Sequence, residues 1–473
     1  MNFYQEVLKR KDDLLSDLTD LLKIESTKDP DTKSEENPMG VNVAKALAHM
    51  LDLSTQQGFS TKNYKGYYGY AELEGATPSN EDEHIAVLTH IDVVPATGKW
   101  TSPPFEPEIR DGKLYARGAI DDKGPTMAAF YAVKLLKELN LPLKRNVRII
   151  FGTDEESGMS CLKTYREIER GPVGGFAPDA MFPIIHAEKG QMHVKCELTT
   201  DHIEAGQAPA EFTLLSFHGG TRPNMVPETA KAIILGDLGD VGEKFEGYVK
   251  ENGLTGDITS SNDSHTLTLN GISSHSMEPF KGVNAGCKLA NFLLGLSLDK
   301  RAEKYLALID QGFHEDHFGK NIGIDHEDDI TGPLTVNPAI FHYEKGGKGF
   351  VQLNLRYPVS AKAENIENGI GKFLNEYEYV IGEVRNKNPH HVDGDAPMIK
   401  ALQQAYEEET GQEATLLSSG GNTYASLLPN CVAYGAVFPG KVMTAHQKDE
   451  YMEIDDLLKA TAIYARALYY LAS

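Results

Sequence analysis

The chain has few cysteines, a deficit of basic residues and no long apolar segment. Its four cysteines, at positions 161, 196, 287 and 431, are far apart and form no CxxC pair, so the sequence predicts buried free thiols and neither a disulfide framework nor a thiolate metal site. The 46 Lys and Arg residues stand against 69 Asp and Glu residues, a formal net charge of −23, which repels nucleic acid and anionic membranes. No apolar run approaches the roughly 20 residues needed to cross a bilayer.

The beginning of the chain also lacks the pattern of a signal peptide. Charged residues follow Met1, and Leu14, Leu18, Leu21 and Leu22 recur at helical spacing among Asp and Lys. We therefore expect an amphipathic helix here and a cytoplasmic protein that binds neither nucleic acid nor a membrane.

The first third of the chain alternates between helical and strand patterns. After the N-terminal helix come a strand around residues 85–89, a helix around 126–139 and a strand over 147–151. Strands separated by helices are typical of an α/β fold, in which a mostly parallel sheet is covered by helices on both faces. At 473 residues the chain is long for one core, and about two to three domains are expected.

The middle of the chain has a different pattern, which predicts an inserted domain. Residues 193–198 and 265–269 alternate between apolar and polar side chains, as half-exposed antiparallel strands do. Helical spacing resumes with Met398, Leu402 and Tyr406. We expect residues 1–187 and 389–473 to form a discontinuous catalytic domain, and residues 188–388 to form an α+β lid domain built on antiparallel sheet.

The most informative motif places His90 two residues before Asp92, at the end of an apolar strand-like run. A His at such a place can bind a cation, and a nearby carboxylate can fix its orientation and basicity. Because a His and an Asp at a strand end are more often ordinary loop residues, the motif gains its weight from other polar residues further along the chain.

Acids recur at the ends of other predicted elements, and a second His follows near the C-terminus. These residues are Asp121 and Asp122 in a Gly-bracketed turn, the triplet 154–156, Asp179, and His446. Acids gathered at strand ends repel one another unless cations neutralise them. Together the motifs indicate a divalent metal site.

With these motifs the chain resembles the dinuclear zinc metallopeptidases that include carboxypeptidases, aminoacylases, desuccinylases and carnosinases, and most closely the PepV-type bacterial dipeptidases. Five motifs occur in the family's order over nearly the whole chain: the His-x-Asp strand end, Gly-Ala-x-Asp-Asp-Lys-Gly, Glu-Glu, Pro-Asp-Ala and the late Ala-His. The resemblance also implies an enlarged lid that closes over the site within one chain, and therefore a monomer.

The resemblance implies two zinc ions per chain. One would be held by His90 and Asp179, the other by Glu156 and His446, and Asp121 would bridge both. Cobalt or manganese would also accept imidazole and carboxylate ligands.

The resemblance also implies what two neighbours of these ligands do. The carboxylate of Asp92 would accept the free N–H of His90, whereas Asp122 would not be a ligand. The resemblance also implies a cis peptide bond between Asp121 and Asp122.

Glu155 is assigned as the general base, because Glu156 would be occupied by metal while Glu155 would be free to take a proton from the attacking water. The alternative is that Asp154 and Glu155 are solvated acids at a helix N-terminus, where the helix dipole favours negative charge.

The resemblance assigns two residues of the predicted lid to the substrate and one to the transition state. His275 would stabilise the oxyanion that develops on the scissile carbonyl. Arg356 would bind the terminal carboxylate of the substrate, for which a guanidinium fork is suited, and Asn224 would hold the same end.

A glycine-rich loop near the C-terminus would also bind the substrate. Gly420, Gly421 and Asn422 match a family loop whose backbone N–H groups can receive an anion. Asn422 stands where the family usually has a third glycine, so the details of carboxylate recognition stay open.

The leading hypothesis is a metal-dependent dipeptidase that hydrolyses unblocked dipeptides. The alternative is an N-acyl amino acid deacylase or desuccinylase that uses the same metal chemistry but binds an acyl group where a dipeptidase binds an ammonium. A third possibility is a peptide-binding or metal-binding protein without activity, against which the presence of Glu155, His275 and all five ligand candidates argues.

Overall fold

The computed structural model describes residues 1–76, 83–199 and 210–473. The chain forms two compact units, one made of Met1–Ala187 with His391–Ser473 and the other of Glu188–His390. The predicted assignment of catalytic and lid domains to these parts of the chain stays a prediction.

The described residues form α-helices, short 3-10 helices and strands. The α-helices are α1 (Phe3–Leu8), α2 (Lys11–Leu22), α3 (Val41–Gln56), α4 (Lys123–Glu138), α5 (Ser160–Ile168), α6 (Val241–Glu251), α7 (Ala285–Leu293), α8 (Lys300–Phe313), α9 (Ala363–Glu376), α10 (Pro397–Thr410) and α11 (Ile454–Ala472). The 3-10 helices are Pro30–Thr32, Pro279–Lys281 and Tyr424–Leu427. The strands are β1 (Ser60–Tyr64), β2 (Tyr68–Leu73), β3 (His84–His90), β4 (Glu108–Arg110), β5 (Lys113–Tyr115), β6 (Asn146–Gly152), β7 (Gly174–Ala177), β8 (Ala180–Met181), β9 (Ile184–Glu188), β10 (Gly190–Leu198), β11 (Thr213–Gly219), β12 (Thr229–Leu235), β13 (Thr255–Ser261), β14 (Ser264–Asn270), β15 (Glu327–Asp328), β16 (Gly332–Pro333), β17 (Thr335–Glu344), β18 (Gly349–Tyr357), β19 (Tyr379–Lys387), β20 (His390–His391), β21 (Leu416–Ser419), β22 (Cys431–Ala433), β23 (Ala436–Val437) and β24 (Tyr451–Glu453).

The first unit is built on a sheet whose strand order is β1-β2-β6-β3-β7-β22-β9-β20, with β21 paired to β9. The central strands β6, β3, β7 and β22 run parallel, whereas β1, β2 and β9 pair antiparallel towards the edges. The predicted α/β class, with a parallel central sheet in one part of the chain and a separate antiparallel sheet in the other, is confirmed.

Helices cover both faces of this sheet, which explains why β3 is apolar along its whole length. Ile85 and Val87 pack into a core with α1, α2, α4 and α11, whereas Ala86 and Leu88 pack on the opposite face against residues of α5. Because successive side chains of a strand point to opposite faces, a strand that is covered on both sides needs apolar residues at every position.

Two other predictions are also confirmed. The four leucines at positions 14, 18, 21 and 22 lie on the buried face of α2. The four cysteines are buried and free.

The second unit has an eight-stranded sheet in the order β13-β14-β12-β11-β17-β18-β10-β19. Its neighbouring strands pair antiparallel. The two alternating segments predicted from the sequence lie in β10 and β14, where every second residue is buried. Apolar faces of α6, α7, α8 and α9 complete its core.

None of the helices in the described parts of the chain combines the length and the apolar character that crossing a bilayer requires.

Candidate metal centre

Four of the predicted site residues in the first unit lie at the ends of its parallel strands or in the loops that follow them. His90 is the last residue of β3, Glu155 and Glu156 follow β6, and Asp179 follows β7. Parallel strands end at the same edge of a sheet, so their C-terminal loops meet there. Asp121 precedes α4, and His446 lies in the loop between β23 and β24.

Asp121 lies at the middle of this group. Its Oδ1 is 3.1 Å from Nε2 of His90, and its Oδ2 is 3.0 Å from Nε2 of His446. A carboxylate whose two oxygens face different imidazoles has the arrangement that a bridge between two cations requires.

The other predicted ligands divide between the two histidines. Asp179 Oδ2 lies 3.7 Å from His90 Nε2, and Glu156 Oε2 lies 2.9 Å from His446 Nε2. We call His90 with Asp179 the His90 half of the site, and Glu156 with His446 the His446 half; Asp121 is shared.

Two sets of three side chains can each bring one ligand atom within 4.8 Å of the others. One set is His90, Asp121 and Glu156, and the other is His90, Glu155 and Asp179. Glu155 therefore lies beside the His90 half of the site.

The donor atoms of this site fit divalent cations. His90 is buried, and its Nε2 makes no hydrogen bond of acceptable geometry to any described residue. Burial and nearby acids raise the pKa of Glu155 to about 8 and also raise the pKa values of Glu156 and Asp179. Cations would offset this cost of gathering buried carboxylates, because positive charge favours their ionised forms.

The same cluster of carboxylates raises the pKa values of the two histidines. Hydrogen bonds to Asp121 and Glu156 raise the pKa of His446 to about 10. Burial opposes protonation of His90, but Asp121 and Asp92 outweigh it and raise the pKa of that imidazole. Both imidazoles therefore occupy positions where the surrounding carboxylates favour a positive charge.

The structure gives Asp92 a different set of contacts from the predicted one. Nδ1 of His90 lies 3.0 Å from the main-chain oxygen of Asp92 and 3.5 Å from its carboxylate Oδ1. The carboxylate instead accepts hydrogen bonds from the backbone N–H groups of Glu155, at 3.1 Å, and Glu156, at 3.2 Å. Asp92 thus holds the acidic loop with its side chain and orients His90 mainly with its main chain.

The turn that carries Asp121 has the predicted backbone. The peptide bond between Asp121 and Asp122 is cis, which confirms this expectation. Asp122 Oδ2 accepts hydrogen bonds from the backbone N–H of His90, at 3.1 Å, and from Oγ1 of Thr126, at 3.2 Å. Asp122 therefore supports the end of β3.

Of the two acids that the alternative places at a helix N-terminus, Asp154 is buried and not solvated, whereas Glu155 is half-buried. Helix α5 begins only at Ser160. Asp154 is buried and accepts hydrogen bonds from Nζ of Lys28, at 2.8 Å, and from the backbone N–H of Ser160, at 3.1 Å. Its role is to fix the loop between β6 and α5.

The glycine-rich loop lies between β21 and a 3-10 helix. The N–H of Gly421 donates to Oγ of Ser419 at 2.9 Å, and Nδ2 of Asn422 donates to the carbonyl of Gly421 at 3.1 Å. The N–H of Gly421, which was predicted to bind an anion, therefore donates to a residue of the loop. The side chain of Asn422, which replaces the third glycine, also donates within the loop.

Tyr424 is a buried neighbour of the site that the sequence prediction missed. Its ring packs edge-on against His90, with 6.1 Å between the ring centroids, and its Oη lies 2.8 Å from Sγ of Cys161. A side chain at Gly152, at the end of β6, would collide with the same ring. The glycine was the only signal in the sequence, because a glycine in a strand often marks a close approach.

In the second unit, the structure brings the segments of Asn224 and His275 together. The N–H of Ser276 donates to the carbonyl of Asn224 at 2.9 Å. Nδ2 of Asn337 donates to the carbonyl of Met225, at 2.9 Å, and to Oγ of Ser276, at 2.7 Å. Asn337 is a second residue that the sequence prediction missed.

Two details of this unit bear on the assigned side chains. Nδ1 of His275 accepts a hydrogen bond from the N–H of Met277 at 3.2 Å. Arg356 is buried on β18, where its Nε donates to Oδ1 of Asn354 at 3.1 Å, and burial lowers its pKa to about 10.

Comparison with known proteins gives a consistent result. Residues 86–470 match the family described as Peptidase family M20/M25/M40. The chain is 44% identical over 474 residues to the Bacillus subtilis protein named "Putative dipeptidase YtjP", with 100% of both chains covered. A Staphylococcus epidermidis protein with the same description is 37% identical over 467 residues, with 98% of both chains covered.

Solved structures share the fold at low sequence identity. Human carnosine dipeptidase 1 has a TM-score of 0.57 and 14% identity, and the match covers 99% of this chain and 98% of that one. The dipeptidase Dug1p of Saccharomyces cerevisiae has a TM-score of 0.58 and 13% identity, with 100% and 98% covered. At these identities the likeness shows the fold alone.

Proposed function

The chain belongs to peptidase family M20/M25/M40 and is a metallopeptidase, and from this premise we propose that it is a zinc-dependent dipeptidase. Its substrates would be unblocked dipeptides. The relatives that match over their whole length carry a dipeptidase description, which supports this choice of substrate.

The observation that carries the proposal is the bridging position of Asp121. Its two oxygens face His90 and His446 at 3.1 and 3.0 Å, and each imidazole has a second carboxylate beside it. We assign one zinc ion to His90 and Asp179 and another to Glu156 and His446, with Asp121 shared. Two such ions would polarise the scissile carbonyl and make a water acidic enough to attack it near neutral pH.

Glu155 acts as the general base in this proposal. Its carboxylate takes a proton from the attacking water and gives it to the amine nitrogen of the leaving amino acid. Its place beside His90 and Asp179 and the hydrogen bond from its N–H to Asp92 support the assignment. That bond fixes the backbone from which the carboxylate projects.

The substrate-binding assignments rest on the resemblance. His275 would stabilise the oxyanion, Asn224 and Arg356 would hold the terminal carboxylate, and the loop 420–422 would contribute polar contacts. The bond from Met277 to Nδ1 of His275 supports this role, since it leaves a proton on Nε2 of the neutral imidazole.

Two wider proposals accompany this function. The protein acts as a monomer, because the lid is supplied by the same chain, and it acts in the cytoplasm. Capture of both substrate ends would limit the substrate to short peptides.

A paired assay tests the proposal. The zinc-reconstituted protein is incubated with a free dipeptide and with its N-acetylated counterpart, and release of the C-terminal amino acid is measured. Cleavage of the free form alone supports a dipeptidase. Preference for the acetylated form would move the assignment to a deacylase, and absence of turnover on both would favour a binding protein.

A further inference from the structure

Glu450 is a fully buried carboxylate that lies four residues after His446. It precedes β24, at the end of the loop that carries His446. A carboxylate at such a place costs free energy unless several hydrogen bonds compensate for the loss of water.

Both carboxylate oxygens of Glu450 bind the turn that leads to Asp121. Oε1 accepts from the backbone N–H of Ile120, at 2.9 Å, and of Asp121, at 3.2 Å. Oε2 accepts from the N–H of Gly118, at 3.1 Å, and lies 2.5 Å from Nη1 of Arg117. The carboxylate of Glu450 therefore accepts hydrogen bonds from three backbone amides of this turn and from one buried guanidinium.

The main chain around Glu450 is attached to the same region. Its carbonyl accepts from the N–H of Ala116 at 3.1 Å. The carboxylate of the preceding residue, Asp449, accepts from the N–H and Oγ1 of Thr101, at 2.8 and 3.0 Å. The loop of His446 is thus fixed to the segment that ends in Asp121.

This arrangement constrains the turn that carries the shared ligand, Asp121. The amide of Asp121 is bound by Glu450, while the side chain of Asp121 must place one oxygen beside each imidazole. A small rotation of this turn would move one oxygen away from its histidine. A buried carboxylate whose two oxygens are both hydrogen-bonded holds the segment that it binds in one geometry.

We propose that Glu450 is a positioning residue that orients Asp121 and holds it in register with His446, so that the two oxygens of Asp121 face two metal ions. This inference rests on the proposed function. Glu450 itself touches neither metal nor substrate.

The test uses the full chain with Glu450→Gln, which keeps the size of the side chain but offers only one acceptor oxygen. Binding of Co²⁺ is titrated in competition with a chromophoric chelator, and the visible absorption of the bound Co²⁺ is recorded. We expect one ion to bind about 10–100-fold more weakly, as when other supports of a metal ligand are removed, and we expect the absorption bands to shift.

Glu453→Gln is the matched control. Glu453 lies three residues further along and pairs with Lys441 at the surface, where its side chain is 28% exposed. Its removal should leave both Co²⁺ affinities and the spectrum unchanged. Equal affinities and identical spectra for Glu450→Gln and the wild type would overturn the proposal.

Glu450→Asp provides a second variant, since it keeps the charge but is too short to reach both sides of the turn. We expect a change in the same direction that is smaller than for Glu450→Gln. Circular dichroism of the metal-free proteins checks folding, and if neither variant folds, the carboxylate is a determinant of folding and the positioning role is rejected. If the wild type binds no Co²⁺ and cleaves no dipeptide, the proposed function fails instead.

Discussion

The two halves of the candidate metal site differ in how the chain holds them. His90 ends a buried central strand, and its side chain is 1% exposed. His446 lies in a loop, its side chain is 54% exposed, and its φ of 63° is one that few residues other than glycine adopt. The sheet therefore builds the His90 half, whereas a loop supplies the His446 half.

This difference shows where the site depends on long-range contacts. Strands β3, β6 and β7 bring His90, Glu155 and Asp179 to one edge because of their parallel pairing. His446 reaches the same place through a loop that Glu450 and Asp449 attach to residues 101–121. We expect the His90 half to keep its geometry without metal. We expect the His446 half to bind its metal ion more weakly and to exchange it faster.

The largest expected effect tests whether Glu155 is a base or a ligand of the His90 half. Glu155→Gln should lower kcat by about 10²–10⁴-fold, because the proton of the attacking water loses its acceptor. Both metal ions should remain, which elemental analysis of the dialysed protein measures.

The matched control is Glu167→Gln, which changes an exposed glutamate of α5 and should leave activity as it is. Loss of one metal ion from Glu155→Gln would mean that Glu155 belongs to the ligand set. Activity close to that of the wild type would exclude it as the base.

A smaller effect is expected from Asp92→Asn, which weakens the support of the His90 half. Asn can accept with one oxygen only, so one of the two amides of Glu155 and Glu156 loses its acceptor. Metal affinity should fall by about 10–100-fold, as measured by competition with a chelator.

Asp20→Asn controls for a change of charge, since Asp20 is exposed and pairs with Lys23. If Asp92→Asn binds both ions as tightly as the wild type does, the hydrogen bonds from its carboxylate do not support the site.

The sequence predicted the fold class and the set of candidate residues because both depend on local patterns. Apolar runs that end in polar motifs indicated parallel strands with a site at their ends, and the structure gathers His90, Asp121, Glu155, Glu156, and Asp179 there with His446. The motifs pointed to this set through the resemblance to the dinuclear metallopeptidases.

The sequence could not predict the residues that act through other residues. Glu450 contacts a turn more than 300 positions earlier in the chain, and Tyr424 packs against His90 from a distant 3-10 helix. Glu450 belongs to no motif with a recognisable spacing, and the glycine-rich loop that precedes Tyr424 does not indicate where its ring packs. The main-chain contact of Asp92 with His90 was missed for a related reason, because a spacing of two residues cannot tell a carboxylate oxygen from a main-chain oxygen.

When metal is removed, the two halves of the site should release their ions at different rates. A chelator added to the zinc-loaded protein should release one ion quickly from the exposed His446 half and one slowly from the buried His90 half. A chromophoric chelator records both phases. The variant His446→Ala should show the slow phase alone, and release of both ions in a single phase from the wild type would contradict the distinction.

The smallest effect concerns the stability of the metal-free protein, measured by denaturant unfolding in the presence of a chelator. His90→Ala should lower the free energy of unfolding by about 1–3 kcal/mol, because the main-chain oxygen of Asp92 loses its hydrogen-bond donor and the buried imidazole loses its packing. His446→Ala should lower it by about 0–1 kcal/mol, since its imidazole is 54% exposed and water screens its pairs with Asp121 and Glu156. His218→Ala is the control, because His218 forms an exposed pair with Glu344 in the other unit, and its effect should equal that of His446→Ala.

Equal losses of unfolding free energy for His90→Ala and His446→Ala would mean that the loop holds its half of the site as firmly as the sheet does.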